Sequence, residues 1–535
     1  MSHSETTASA DPSSAWFSVR RGILNLLSLL AIVIVGLSLS SSWFQPPPQT
    51  QLDLLQTDLA LQASRTLDDP LYQDLARALL GQDVFKVAQN RYQQTADNYT
   101  ERLKRLKRLA RLTPAGESEA ASPELAQSPE VDPALLASMQ DLQTELDALW
   151  LRLGLLYAYQ EDLEAARQQW QQIIDLERPK VLRAAGAMEV ESSQKRAAQV
   201  LQGLWGTPRR ILPEAEVQIR NHLDGWFEAV ALQQLYRLQQ RSDSLNALNQ
   251  QQEKLALAAL FRLAVVGGIP VLGALLGLML LLGWLGWSLW RKRPLLGPAW
   301  EVPWPGIGAQ AVLTGWFLGF IALNALVPRL YIIILGLGAR QLSPWQQAVA
   351  LFLTYNSGAL LGAGLLYRLL HAYPGWQRVL QVRLWGPWLL WGLCGYWVAL
   401  PLVVLAAALS QLLLPQAGGG NPILPLLLDS HGWGARLVFL AVVSVCAPVF
   451  EEVLFRGFWL PTLSRYLPMG AAIVLSAFTF ALAHLNLSDL LPLTMLGVVL
   501  GVVYSHSRNL LAPILLHSLW NTGSLVTLLV LGGAR

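Results

Sequence analysis

The sequence predicts an all-α protein: a polytopic membrane helix bundle of about nine spans, with a soluble helical domain inserted after the first span. Three observations carry this. Only 14% of the 535 residues are charged, against roughly 25% in an ordinary soluble domain. The charges are dense from about Gln51 to Arg262 and sparse afterwards, so a soluble region is set between apolar ones. The sparse part divides into runs near the ~20 residues that cross a bilayer as a helix. The net charge of +3 is too small to argue for nucleic acid as a partner. Cys394 and Cys446 are the only cysteines, so neither a disulfide framework nor a cysteine-rich zinc site is available.

Residues 1–21 read as an N-terminal cytoplasmic tail and residues 22–42 as the first transmembrane helix, because Gly22 to Ser42 is charge-free and follows Arg20 and Arg21. Small residues after it (SLSSSW) also suit a cleaved signal peptide, but the apolar core of such a peptide is usually ~7–15 residues, shorter than this run. The next charge-free run, Leu263 to Trp290, ends in Trp284, Trp287 and Trp290 and is followed by Arg291, Lys292 and Arg293. Interfacial aromatics with a basic cluster beyond them mark a cytoplasmic end. Both signals put the N-terminus inside and residues 43–258 outside the cytoplasm. Further spans are expected near 307–328, 344–367, 385–414, 436–459, 469–487, 489–506 and 509–531, which gives residues 260–531 about eight. The basic loop with Arg368, Arg378 and Arg383 falls on the cytoplasmic side in this count.

The inserted domain is rich in Leu, Ala, Gln, Glu and Arg at helical spacing, with few β-branched runs. Pro46, Pro47 and Pro48 make a stiff start to it, and Thr113 to Pro133 has linker composition. Trp150, Leu153, Gly154, Tyr157, Ala166, Trp170 and Pro179 follow the tetratricopeptide spacing near 147–180, in which a glycine lets two antiparallel helices approach while large residues fill the gap. One copy predicts a hairpin, not an array. A plain helical bundle is the alternative, and either offers a surface for a protein partner without visible chemistry.

Chemistry is concentrated at the C-terminal end. Glu451 and Glu452 are adjacent carboxylates in an apolar run, VFLAVVSVCAPVFEEVLFRGF, and a charge at bilayer depth is expensive enough to suggest function. Adjacent helical residues point about 100° apart, so the two can differ in role. Glu452 and Arg456 have the i, i+4 spacing of an ion pair, which leaves Glu451 free to act as a general base on water. The competing reading solvates both glutamates at the cytoplasmic end of their span. Pro448 is placed to kink that helix.

His484 lies four residues after Phe480 on the same face, and His517 and Asn521 share a face of the last span. An imidazole and an amide held together can stabilise an oxyanion. At ~1.5 Å per residue, Glu451, His484 and His517 lie roughly 12, 22 and 12 Å from the cytoplasmic ends of their helices, within reach of one cavity. His506 and Arg508 read as a solvated loop, Asn356 as a helix-packing hydrogen bond and the glycines of the third to fifth spans as helix contacts.

E-E-x-x-x-R-G from Glu451 to Gly457, F-x-x-x-H from Phe480 to His484 and H-x-x-x-N from His517 to Asn521 stand in order on successive helices. Together they resemble the motifs of the CAAX-protease and bacteriocin-processing (Abi) family of intramembrane proteases, over about residues 260–531. The resemblance implies an intramembrane endopeptidase acting on a membrane-associated, prenylated or precursor peptide. Glu451 and His484 would activate a water, His517 and Asn521 would hold the oxyanion, and Glu452 and Arg456 would shape the site, without a metal cofactor. Were zinc used, Glu451, His484 and His517 would be its ligands, since H-E-x-x-H is absent. A non-catalytic membrane scaffold or immunity-type protein, holding a partner through the helical domain, is the competing class. The intact Glu451, His484, His517 and Asn521 set favours catalysis.

Overall fold

The computed structural model describes residues 12–42, 48–112, 133–175, 187–336, 342–414 and 433–532. Every regular element among them is a helix. Most of the tail, Pro46 and Pro47, nearly all of the 113–133 linker and Pro179 lie outside the described residues. The chain clusters into two units: Met1–Pro48 with Ile269–Val530, and Gln49–Gly268 with Leu531–Arg535.

The Gln49–Gly268 unit consists of α2 (Pro48–Ala63), α3 (Gln73–Leu80), α4 (Val84–Leu112), α5 (Pro133–Tyr159), α6 (Leu163–Asp175), α7 (Ala187–Trp205), α8 (Ala215–His222), α9 (Gly225–Leu238) and α10 (Ser242–Leu263). Its core includes Tyr92, Leu146, Leu153, Ala166, Trp170 and Phe227. α5 and α6 pack against each other. Trp170 lies against Gly154, where a Cβ would collide with the indole, and its Nε1 donates to Leu151 O at 3.2 Å. Polar order in this unit centres on Arg152, which donates to Asp224 at 2.9 Å. Asp58 lies 4.0 Å from the same guanidinium and accepts from Tyr92 Oη.

The other unit contains α1 (Pro12–Ser42), α11 (Ile269–Trp290), α12 (Gly306–Leu335), α13 (Pro344–His371), α14 (Trp388–Leu413), α15 (Trp433–Ser464), α16 (Met469–Leu482), α17 (Leu490–Ser507) and α18 (Leu511–Gly532). Among the described residues, eight helices are long and apolar enough to cross a membrane. The expected span at 469–487 is the exception, because α16 has 14 residues and ends at Leu482. The polar sequence after it explains this. Leu485 takes a left-handed φ of 56°, Asn486 donates to Asp489 at 2.6 Å, and Leu487 N donates to Ser42 Oγ at 3.2 Å.

The glycines do serve close helix approach. A Cβ at Gly358 would collide with the Phe320 ring, and one at Gly362 would stand 2.5 Å from Phe450 Cζ. These contacts draw α13 against α12 and α15.

Candidate active site

Glu451 and Glu452 close a short α-helical stretch, Ala447–Glu452, between two π-helical segments of α15, Val442–Cys446 and Val453–Trp459. The first bulge follows from Pro448. Ala447 N–H bonds Val442 O, an i→i+5 step; the next carbonyl, Val443 O, would then need the amide of Pro448, which has none. Asn521 Nδ2 supplies the missing donor at 2.8 Å. π-bulges often sit at functional sites, and this one rotates the Glu451–Glu452 turn relative to the helix before it.

Glu452 is completely buried, and Arg456 is 1% exposed. Arg456 Nη1 donates to Glu452 Oε1 at 2.8 Å, its Nη2 reaches Gly497 O at 3.4 Å, and its guanidinium lies 4.3 Å from the Phe480 ring centroid. A Cβ at Gly497 would stand 3.2 Å from that Nη2, so a glycine is what lets α17 come so close. His517 Nδ1 also bonds Glu452 Oε1, at 2.8 Å. A carboxylate only accepts, so Nδ1 carries the hydrogen and Nε2 points on towards Glu451. Glu452 Oε2 is buried with no hydrogen-bond partner among the described residues.

Glu451 is the more open of the pair, its side chain 15% exposed. Tyr355 Oη, on α13, donates to Glu451 Oε1 at 3.0 Å, and His517 Nε2 stands 3.8 Å from Glu451 Oε2. Sequence reading missed Tyr355. The available signal was helical spacing, because Tyr355, Gly358 and Gly362 fall on one face, so the face on which Gly362 admits Phe450 also carries the phenol that reaches Glu451.

His484 sits just past the end of α16. Its Nδ1 donates to Phe480 O at 2.9 Å, leaving Nε2 without the hydrogen in the neutral ring. The Phe480 ring meets His484 edge-on at 4.8 Å and His517 edge-on at 5.7 Å. One aromatic side chain thus gathers both imidazoles and the Arg456 cation. Asn521 stands beside this group with one amide hydrogen committed to Val443 O and a second on the same nitrogen.

Three residues differ from expectation. His506 Nε2 bonds Leu295 O at 3.0 Å and its ring stacks on Trp391 at 5.2 Å. Arg508 lies 4.0 Å over the Trp300 ring and donates to Pro298 O. Neither is a free loop residue; both pin the segment after α11. Asn356 donates to Phe352 O of its own helix at 2.8 Å, and among the described residues no bond from it to another helix is found.

Among the described residues no three His, Cys, Asp or Glu side chains are grouped to hold a metal ion.

Residues 433–523 match the Rce1-like family. The matching family model is described as type II CAAX prenyl endopeptidase Rce1-like. The Rce1-like segment contains Glu451, Glu452, Arg456, Phe480, His484, His517 and Asn521, and leaves out Tyr355. The chain is also similar to "Putative membrane peptidase YdiL" of Bacillus subtilis (strain 168), 27% identical over 85 residues, which are 16% of this chain and 35% of that relative. The chain therefore spans about a third of the relative's length. No solved structure matches. An integral multi-pass membrane protein with a peptidase-like C-terminal segment is the reading these matches and the eight apolar helices share.

Proposed function

We propose that this protein is an intramembrane peptidase in which Glu451 is the general base and a water held between Glu451 and His517 is the nucleophile. The observation that carries this is the pairing of Glu451 Oε2 with His517 Nε2 at 3.8 Å. That separation is too long for a direct hydrogen bond, and one water oxygen bridges it with ordinary bonds to both atoms. Glu452 fixes the tautomer and orientation of His517, as an orienting carboxylate does in a catalytic triad. Tyr355 fixes Glu451 from the other side.

The water gives a proton to Glu451 as its oxygen bonds the substrate carbonyl carbon, and the carbonyl π electrons move to oxygen. The second amide hydrogen of Asn521 stabilises that oxyanion. On collapse the C=O bond reforms, the C–N bond breaks and the leaving nitrogen takes up the proton that Glu451 received from the water, while His484 packs against the Phe480 ring beside the site. No metal enters the sequence.

The substrate class is a membrane-associated protein or peptide, with prenylated C-terminal peptides the first to test because the matched family is described by that chemistry. The flanking arginines support a cytoplasmic N-terminus and an extracytoplasmic domain over residues 43–258, and the helical surface of that domain is the candidate site for a protein partner. Terminal-peptide profiling of membranes from cells expressing the full chain or Glu451→Gln tests the reading without prior choice of substrate. Peptide termini present with the native chain and lost with the variant are expected; identical profiles would overturn the assignment.

A further inference from the structure

Outside the reaction centre, α11, α14 and α17 enclose an apolar groove of about 680 Å³, within the ~300–1,000 Å³ of lipophilic ligand sites. Leu280, Trp284, Leu390, Trp391, Val398 and Val499 are among its walls. Met279 and Leu390 on its rim are exposed, so it opens towards the bilayer. The groove and the catalytic group use different residues of α17: Gly497 O accepts from Arg456, while Val498, Val499, Val502 and Val503 line the groove.

One end of this groove is strongly basic. α11 finishes there at Trp290, α14 begins there at Trp388 and α17 finishes there at Ser507. Trp284 and Leu295 both line the groove, and Arg291, Lys292 and Arg293 form the turn between them. The chain reverses at once after Trp290, with Arg293 N donating to Ser288 O at 2.9 Å. The Arg293 guanidinium lies 5.0 Å over Trp287 and that of Arg291 4.7 Å over Trp290, which holds both cations at the level of the interfacial tryptophans. Arg383 precedes the groove residue Pro387 by four positions. Against this, Glu301 is the only acidic residue between Leu263 and Leu428. A purely hydrophobic occupant would gain nothing from such a mouth.

We propose that this groove is a binding site for an anionic phospholipid, with an acyl chain between α11, α14 and α17 and the phosphate at Arg291, Lys292 and Arg293. Basic pockets between membrane helices at the cytoplasmic side bind anionic headgroups in this way, each basic residue contributing about fivefold in affinity. The site is independent of the peptidase reading.

The test is native mass spectrometry of the purified full chain equilibrated with equal amounts of dioleoyl phosphatidylglycerol and dioleoyl phosphatidylcholine, which share their acyl chains. Retention of phosphatidylglycerol over phosphatidylcholine by at least about tenfold is expected, and the exposed triple change Arg291→Gln, Lys292→Gln, Arg293→Gln should abolish that preference without lowering the melting temperature. Filling the groove by Val398→Trp, or by Val502→Phe if the first variant does not fold, should remove bound lipid of both kinds. Equal retention of the two lipids by the native chain, a preference that survives the triple change, or undiminished lipid in a folded groove-filled variant would each overturn the proposal.

Discussion

Replacing Glu452 by Gln separates the two adjacent glutamates by their consequences for stability. Glu452 is fully buried and Oε1 receives both Arg456 Nη1 and His517 Nδ1 at 2.8 Å. The amide oxygen of Gln can accept those two bonds, so the hydrogen-bond count survives but the charge does not. Arg456, 1% exposed, loses the carboxylate it is directly paired with. Breaking a buried ion pair from one side costs about 3–5 kcal/mol. The new NH₂ also falls where Oε2 has no partner among the described residues, and an unsatisfied buried donor adds about 1–3 kcal/mol. At ~2 °C per kcal/mol for a unit of this size, the variant should melt about 8–16 °C below the native chain in detergent. Glu451→Gln should stay within about 2 °C, because its side chain is partly open and keeps an acceptor for Tyr355. Both melts can be followed by intrinsic tryptophan fluorescence. Equal melting temperatures for the two variants would refute the division between a structural Glu452 and a catalytic Glu451.

Tyr355→Phe removes a hydrogen bond to a carboxylate, worth about 1.5–3 kcal/mol, and should lower the rate of Glu451-dependent cleavage by about tenfold or more while the protein stays folded; an unchanged rate would remove Tyr355 from the site. Asn521→Leu should lose activity and also destabilise the chain by about 1–3 kcal/mol, since Val443 O loses its donor, and a variant as stable as the native chain would contradict the account of the π-bulge. Prolonged chelation should leave cleavage intact; activity lost to chelation and restored by zinc alone would replace the Glu451–water mechanism. With Cys394 and Cys446 changed to serine, cysteines at Gln51 and Ser244 should react with an impermeant thiol reagent in intact cells and one at Trp385 should not, and the opposite pattern would invert the topology. In the Gln49–Gly268 unit, the Tyr236 hydroxyl, Arg241 and Arg220 lower the Glu216 pKa to about 2. This depressed folded value means that the stabilisation is present above the unfolded pKa near ~4.3 and is lost as pH falls through about 2. Glu216→Gln should therefore lower protection of α8 and α9 from hydrogen exchange at pH 6 and converge with the native chain near pH 2.

The sequence by itself determined the fold class and named the candidate site residues. Charge density, run length and the aromatic-basic ends of runs are local properties, because a bilayer selects helices by what each segment carries. The i, i+4 pairing of Glu452 with Arg456 and the shared face of Phe480 and His484 are equally local, since helix geometry alone sets them. Tertiary structure decided the rest. That Glu452 orients His517, that Tyr355 grips Glu451 and that Phe480 gathers two imidazoles are contacts between helices, for which one sequence contains no register. The early end of α16 came from side chains of Asn486 and Asp489 and from Ser42 far along the chain, and the bulge before Pro448 was stabilised by Asn521, 78 positions away. An apolar run announces that it is a helix, but a polar atom inside it acquires its task from whatever partner the packing brings within hydrogen-bond distance.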